Sequence, residues 1–222
     1  MKCVALLSGG KDGWFAAWYS VCSGLQVELL LTFVPARSDS FMFHGINSKL
    51  VKKQAKLAGI RHMEIKTTGE REKEESELIL AFKKIKKLGF EAVISGAIES
   101  EYQRERIERA CVESGLVHVA PLWHKNQKQL LEEMLESGTD AIIVAVAADG
   151  MGKEWLGRKI SECKGELFEL NEKRGISVIG EGGEFETFCF KSPFFKRELK
   201  IKKSRVVWKG SAGALRIEGI SH

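Results

Sequence analysis

The sequence predicts an α/β fold, a doubly wound parallel sheet followed by a smaller C-terminal α/β domain. Three observations predict it. Short apolar runs alternate with segments of helical period as far as about residue 140, the pattern of βα units that feed a parallel sheet covered on both faces. A glycine-rich turn joins the first apolar run to the first helical segment, as at the ligand crevice of such sheets. Beyond residue 150 the alternation breaks, and the extended segments Ser177 to Phe190 and Lys200 to Ile220 have no long helix between them. A composition shift between residues 130 and 150 divides the chain into 1–135 and 136–222. The length of 222 residues agrees with one large domain and an appendage.

Cys3 to Leu7 reads as a buried strand, and Lys11 to Ser23 as a helix with Trp14, Phe15, Trp18 and Val21 at helical spacing. Val27 to Val34 carries Leu29-Leu30-Leu31, the two-sided apolarity of an interior parallel strand, and Pro35 stops it. A helix from Asn47 to Leu57 and a short strand near Met63 to Ile65 follow. Glu70 to Leu88 begins acidic, ends basic and carries the stripe Leu78, Phe82, Ile85 and Leu88 ahead of Gly89, so its charges complement the helix dipole. Then come a strand Ala92 to Ile98, a helix Glu101 to Ser114, a strand His118 to Leu122, a helix Lys125 to Glu136 and a buried strand Asp140 to Ala148.

Composition narrows the function classes. Hydrophobic residues are 44% and charged residues 29%, a globular balance that excludes disordered and fibrous classes. The longest apolar run, Ala141 to Ala148, is far too short for a membrane span, and no secretory signal opens the chain, so a cytoplasmic protein is expected. Five cysteines with no CxxC pair support neither a disulfide framework nor a zinc site. The net charge of +5 is uneven, with eight Lys or Arg against one acid between Lys191 and Lys209. That stretch suits an acidic partner or a solvated strand face.

Three constellations carry chemistry. Ser8-Gly9-Gly10-Lys11-Asp12-Gly13 follows a buried strand and opens a helix, a geometry that aims free backbone N–H groups and a positive dipole end at an anion, phosphate by preference. A Walker A loop would need glycine where Ala5 stands and Ser or Thr at Asp12. A dinucleotide fingerprint would need glycine at Ser8. The second constellation is Ser95-Gly96-Ala97-Ile98 at a strand's C-terminal end, small residues that form a floor for adenosine. Tyr102, Gln103 and Arg106 follow on the next helix, with Tyr102 and Arg106 one turn apart. The third is Glu181-Gly182-Gly183-Glu184-Phe185-Glu186-Thr187, where concentrated carboxylate charge calls for a cation. On a strand, Glu184 and Glu186 share one face and Phe185 takes the other.

The Ser-Gly-Gly-Lys-Asp turn resembles the PP-loop of the N-type ATP pyrophosphatases, which implies a HUP-like sheet. It further implies that Ser8 to Gly13 hold pyrophosphate and that Asp12 lies near magnesium. Most members carry serine where this chain has Gly13, so a hydroxyl contact to phosphate is lost. Adding Met42-Phe43-His44, Gly96-Ala97-Ile98, Ser100, Tyr102-Gln103, Arg106, Leu122-Trp123 and Glu181 to Thr187, nearly the whole chain is similar to the diphthine–ammonia ligase family.

That resemblance implies amidation of diphthine on elongation factor 2 by ammonium and ATP through an acyl-adenylate, releasing AMP and pyrophosphate. It implies catalytic roles for Lys11, Asp12, Glu184 and Glu186. His44 and Gly96 to Ile98 would join the glycine turn in binding ATP, and Asp12 would hold magnesium. Tyr102, Gln103, Arg106, Trp123 and Glu181 to Thr187 would meet the substrate, whose trimethylammonium group suits aromatic rings and carboxylates. Cys189 alone does not make a thiolating enzyme, and no RNA-binding module is recognisable. Two alternatives stay open: another PP-loop enzyme modifying RNA or a small acid, and a non-catalytic ATP-binding sensor. A homo-oligomer is compatible with the sequence.

Overall fold

The computed structural model describes residues 1–36 and 47–221. Strands β1 (Lys2–Leu6), β2 (Gln26–Pro35), β3 (Arg61–Thr67), β4 (Ala92–Ile94) and β5 (Val117–Val119) form one parallel sheet in the order β3-β2-β1-β4-β5. Helices α1 (Lys11–Cys22), α2 (Val51–Ala58), α3 (Arg71–Lys87), α4 (Glu101–Ser114) and α5 (Gln127–Glu136) connect and follow these strands. A second, antiparallel sheet has the order β7-β6-β9-β8, built from β6 (Asp140–Val146), β7 (Phe185–Lys191), β8 (Lys200–Lys209) and β9 (Ala212–Ser221). Helix α6 (Ile160–Arg174) precedes β7.

Both faces of the parallel sheet are covered, because successive side chains of a strand alternate between faces. Val4, Leu31, Phe33 and Val93 pack with Leu78, Phe82 and Ile85 of α3 and Ile107, Ala110 and Cys111 of α4. Cys3, Ala5, Leu30 and Ile94 point the other way, into a cluster with Trp14 and Phe15 of α1 and Leu130, Leu131 and Met134 of α5. That cluster continues through Ala141 and Ile143 of β6, Cys163 and Leu167 of α6, and Phe185 and Cys189 of β7. The two sheets therefore share one core. The opposite face of the second sheet buries Ile142, Val144, Phe188, Leu215 and Ile217 with Leu57 of α2.

Several boundaries differ from the expectation. The strand expected over Ala92 to Ile98 stops at Ile94, since Ser95 to Ile98 turn to meet the glycine loop. The strand expected over His118 to Leu122 is Val117–Val119. Asp140 to Val146 is buried on both faces like β1 and β4 but runs antiparallel in the second sheet. Ser177 to Glu184 is loop rather than strand, and Gly210, at φ 61°, splits Lys200 to Ile220 into a hairpin. Helix α6 had no counterpart in the expectation, although Ile160, Cys163 and Leu167 repeat at helical spacing and Gly175 takes the left-handed conformation at its end.

Candidate active site

The strand order reverses at β1 and β4, which pair in parallel at the centre of the sheet, and a ligand crevice opens at the carboxyl ends of such strands. The glycine turn follows β1 and the Ser95–Ile98 turn follows β4. Between them lies a cleft of about 230 Å³ whose wall includes Ser8, Gly10, Lys11, Asp12, Gly13, Gly96 and Ala97, closed on one side by Glu181, Gly183 and Phe185 to Thr187.

The glycine turn is held from behind. Gly9 sits at φ 99°, a left-handed conformation that favours glycine. Its carbonyl accepts from the Cys189 N–H at 2.9 Å and the Gln54 Nε2 at 3.0 Å. The same Nε2 donates to the Cys189 carbonyl at 2.7 Å, so one buried amide fastens the turn to β7. The Lys11 N–H donates to Thr187 Oγ1 at 3.3 Å, and a Cβ on Gly10 would stand 3.3 Å from both Thr187 oxygens. Gly96 closes the other side: its Cβ would lie 2.7 Å from the Asp12 carbonyl carbon and the Gly13 nitrogen. Backbone thus packs directly against backbone where the two glycines carry no side chain. The cradle fits a polyphosphate, held by main-chain N–H groups at the start of a 12-residue helix.

Lys11 is buried, and its ammonium donates to the Ile179 carbonyl at 2.7 Å and to Asp12 Oδ1 and Oδ2 at 2.9 and 3.0 Å. Asp12 faces the cleft as a partly exposed carboxylate. A carboxylate beside a phosphate site fits magnesium, which is commonly held by one or two carboxylates together with substrate phosphates. Among the described residues no group of three or more His, Cys, Asp or Glu could hold a metal by itself.

The acidic segment divides between two cavities. Glu186 and Phe185 face the cleft. Glu184 lies ahead of β7, accepts the Ser177 N–H at 3.0 Å, and lines an adjoining cavity of about 710 Å³ with Glu99, His124, Lys125 and Gln127. The shared face expected for Glu184 and Glu186 is not formed, because the strand begins at Phe185.

Glu181 lines both cavities. Its Oε1 accepts three successive backbone N–H groups, Ile98 at 3.1 Å, Glu99 at 2.8 Å and Ser100 at 3.0 Å, and so fastens the turn after β4 and the N-terminus of α4. Burial pushes its carboxyl up and nearby Asp12 adds to this, while those three hydrogen bonds oppose it.

Gln103 reaches the cleft. Tyr102 packs against the α3–α4 side of the core with the Arg106 guanidinium 3.5 Å above its ring. Trp123 stacks on His124 at 4.5 Å and lies under Arg104 at 4.9 Å, and neither cavity wall includes it. Ala97 borders the cleft, but the Ile98 side chain turns fully into the core and is no part of a floor for adenosine. Met42, Phe43 and His44 lie outside the described residues.

The sequence reading missed Gln54, the Ile179 carbonyl and the pair Ser95 Oγ–His118 Nε2 at 2.8 Å. Only Gln54 left a signal, as a polar side chain between the apolar positions Val51 and Ala55 of one short helix.

Family comparison agrees over both halves. A model described as the diphthamide synthase N-terminal domain matches residues 1–118, and one described as the diphthamide synthase C-terminal domain matches residues 126–222. Curated proteins named diphthine–ammonia ligase align over 88–93% of the chain. The one from Bos taurus is 33% identical over 229 residues and the one from Homo sapiens 32%, each covered over 85% of its length. The one from Schizosaccharomyces pombe is 34% identical over 226 residues, and the chain spans 37% of that longer protein. A solved structure from Methanocaldococcus jannaschii, described as a predicted subunit of tRNA methyltransferase, is 17% identical and superposes with a TM-score of 0.43 over 89% of this chain and 99% of that one.

Proposed function

The chain belongs to the diphthine–ammonia ligase family, and from that premise we propose that this ligase amidates the carboxylate of diphthine on elongation factor 2 with ammonium. The reaction consumes ATP and releases AMP and pyrophosphate. A carboxylate alone is a poor acyl donor, since oxide would have to leave. Adenylation replaces that leaving group with AMP, and ammonia then attacks the acyl carbon.

The observation that carries this reading is the backbone cradle at the switch point, Ser8 to Gly13 closed by Gly96. Its N–H groups and Lys11 stabilise charge developing on the departing pyrophosphate. Asp12 would hold magnesium, which would supply further charge neutralisation. Glu186 and Phe185 stand at the cleft wall where the carboxylate is activated. Glu184 and Glu181, in the adjoining cavity, receive the trimethylammonium group. Tyr102, Arg106 and Trp123 contact the protein around the modified residue. Residues 1–135 supply the nucleotide half of the site and 136–222 the substrate half. The reaction takes place in the cytoplasm; among the described residues no helix is long and apolar enough to cross a membrane.

The test is product analysis of ATP with magnesium and ammonium, with and without elongation factor 2 carrying diphthine, resolving AMP from ADP. AMP that appears only with the modified factor, matched by loss of its free carboxylate, is expected. ADP, or AMP without amidation, would end the reading.

A further inference from the structure

From Lys191 to the C-terminus the chain carries nine Lys or Arg against two Glu. The whole chain nets +5, so everything before this arm is slightly acidic. The arm holds the β8–β9 hairpin. Leu215 and Ile217 turn inward to the core, as does Val206, which places Arg205, Val207 and Arg216 on the outward face. Arg205 stands directly opposite Arg216 in the register, and like charges directly opposite are unfavourable in a sheet. Glu218 reaches Lys203 at 3.3 Å and Arg205 at 3.6 Å, and no ion pair of Arg216 is formed among the described residues. Lysines on the edge strand β8 are accounted for by protection against edge pairing. Arg216 lies on β9 past the two residues that pair with β6, where Asn47 already bonds the Leu215 carbonyl and the Ile217 N–H, so at this position the strand's edge is covered by a side chain and needs no charge to block pairing.

The hairpin is rooted at the cleft. Asn47, which lines the cleft, donates to the Leu215 carbonyl at 3.2 Å and accepts from the Ile217 N–H at 3.0 Å, gripping the backbone on either side of Arg216. Pairing with β6 involves only Gly213 and Ala214, so the remainder of the hairpin projects beyond the sheet.

We propose that the outward face of this hairpin, centred on Arg205 and Arg216, docks an acidic face of the folded protein that carries the substrate carboxylate. This rests on the reading that the substrate is a residue of a protein. A side chain presented by a folded partner must bring that partner's surface against the surroundings of the cleft, and a cationic hairpin whose backbone is bonded to a cleft-lining residue matches acidic protein surface. Such docking acts on encounter and affinity, weakens with salt, and leaves ATP binding untouched.

The test is the affinity of the full chain for elongation factor 2 carrying diphthine across a salt series, for wild type, Arg205→Gln/Arg216→Gln, and the charge-retaining Arg205→Lys/Arg216→Lys. The glutamine pair should bind at least about tenfold more weakly with a shallower salt slope, and the lysine pair should restore most of both. Melting temperature and ATP affinity should not change, and Arg216→Gln alone serves if the double variant melts early. Unchanged affinity would overturn the proposal. So would a single-stranded RNA that binds through the same two arginines and displaces the factor, since the face would then serve nucleic acid. Amidation by wild type is scored separately. Charge-dependent docking without amidation defeats the chemical reading and leaves the hairpin; amidation with affinity indifferent to the arginines does the reverse.

Discussion

A methyl group on Gly96 would lie 2.7 Å from main-chain atoms of Asp12 and Gly13, and no flexible side chain can yield there. Gly96→Ala must therefore push the two turns apart, and ATP affinity should fall at least about tenfold by calorimetry, which is about 1.4 kcal/mol. An unchanged affinity would mean that the turns part without consequence for the nucleotide. Gly13 is similarly closed, because a Cβ would meet Leu7 Cδ2 at 2.9 Å and the Leu6 carbonyl at 3.0 Å. Gly13→Ser should destabilise this chain by about 1–3 kcal/mol in urea rather than improve phosphate binding. Glu181→Ala leaves three main-chain donors without their acceptor, at a cost of about 1–3 kcal/mol. Amide hydrogen exchange at Ile98 to Ser100 should accelerate in that variant and much less in Glu181→Gln, whose carbonyl still accepts. Burial pushes His118 down to about 4, opposed by Glu108 and aided by Arg104. The unfolded chain binds a proton at this histidine below pH ~6.5 and the folded chain only below about 4, so stability is full above pH ~6.5. It falls by up to about 3 kcal/mol as pH drops to about 4. His118→Asn should flatten that part of a urea-denaturation pH profile; an identical profile would assign the loss to other groups. Residue chemistry was legible where the backbone itself does the work, as in Ser8 to Gly13 and Gly96. It was not legible for Ile98, because its neighbours describe a ligand floor while its own side chain faces the core.

Helix α6 shows what periodicity conceals. Its buried residues are Ile160, Cys163 and Leu167, set among charged ones and interrupted by Gly165, so the apolar stripe is narrow. Leu167 is nonetheless fully buried in the core that both sheets share. Leu167→Ala should cost about 2–5 kcal/mol by urea denaturation. A cost below about 1 kcal/mol would mean that α6 is peripheral. The βα alternation made the parallel sheet readable because the central strands β1, β2 and β4 are apolar on both faces and each helix carries a stripe. The same two-sided burial left β6 ambiguous, since a strand between two packed layers looks alike in a parallel or an antiparallel partnership. The acidic segment was readable in composition but not in direction. Where β7 begins decides which carboxylate faces which cavity, and the ladder with β6, with its bulge between Ile143 and Ala145, sets that start.

The whole molecule is stitched between distant parts of the chain. One cluster runs from Cys3 on β1 to Cys189 on β7, Gln54 ties the glycine turn to β7, and the Lys11 N–H is held by Thr187, 176 positions later. Heating should therefore give one cooperative transition, with calorimetric and van't Hoff enthalpies in agreement, rather than separate melting of the two sheets. The same wiring sets a schedule for biosynthesis. At roughly 5–20 residues per second on the ribosome, Thr187 is made roughly 10–35 s after Lys11. Through that interval the nascent glycine turn lacks the strand that holds it, and a polypeptide cut short before β7 keeps the Gln54 contact to Gly9 but leaves the ribosome without the Thr187 and Cys189 bonds that fix the turn from the other side.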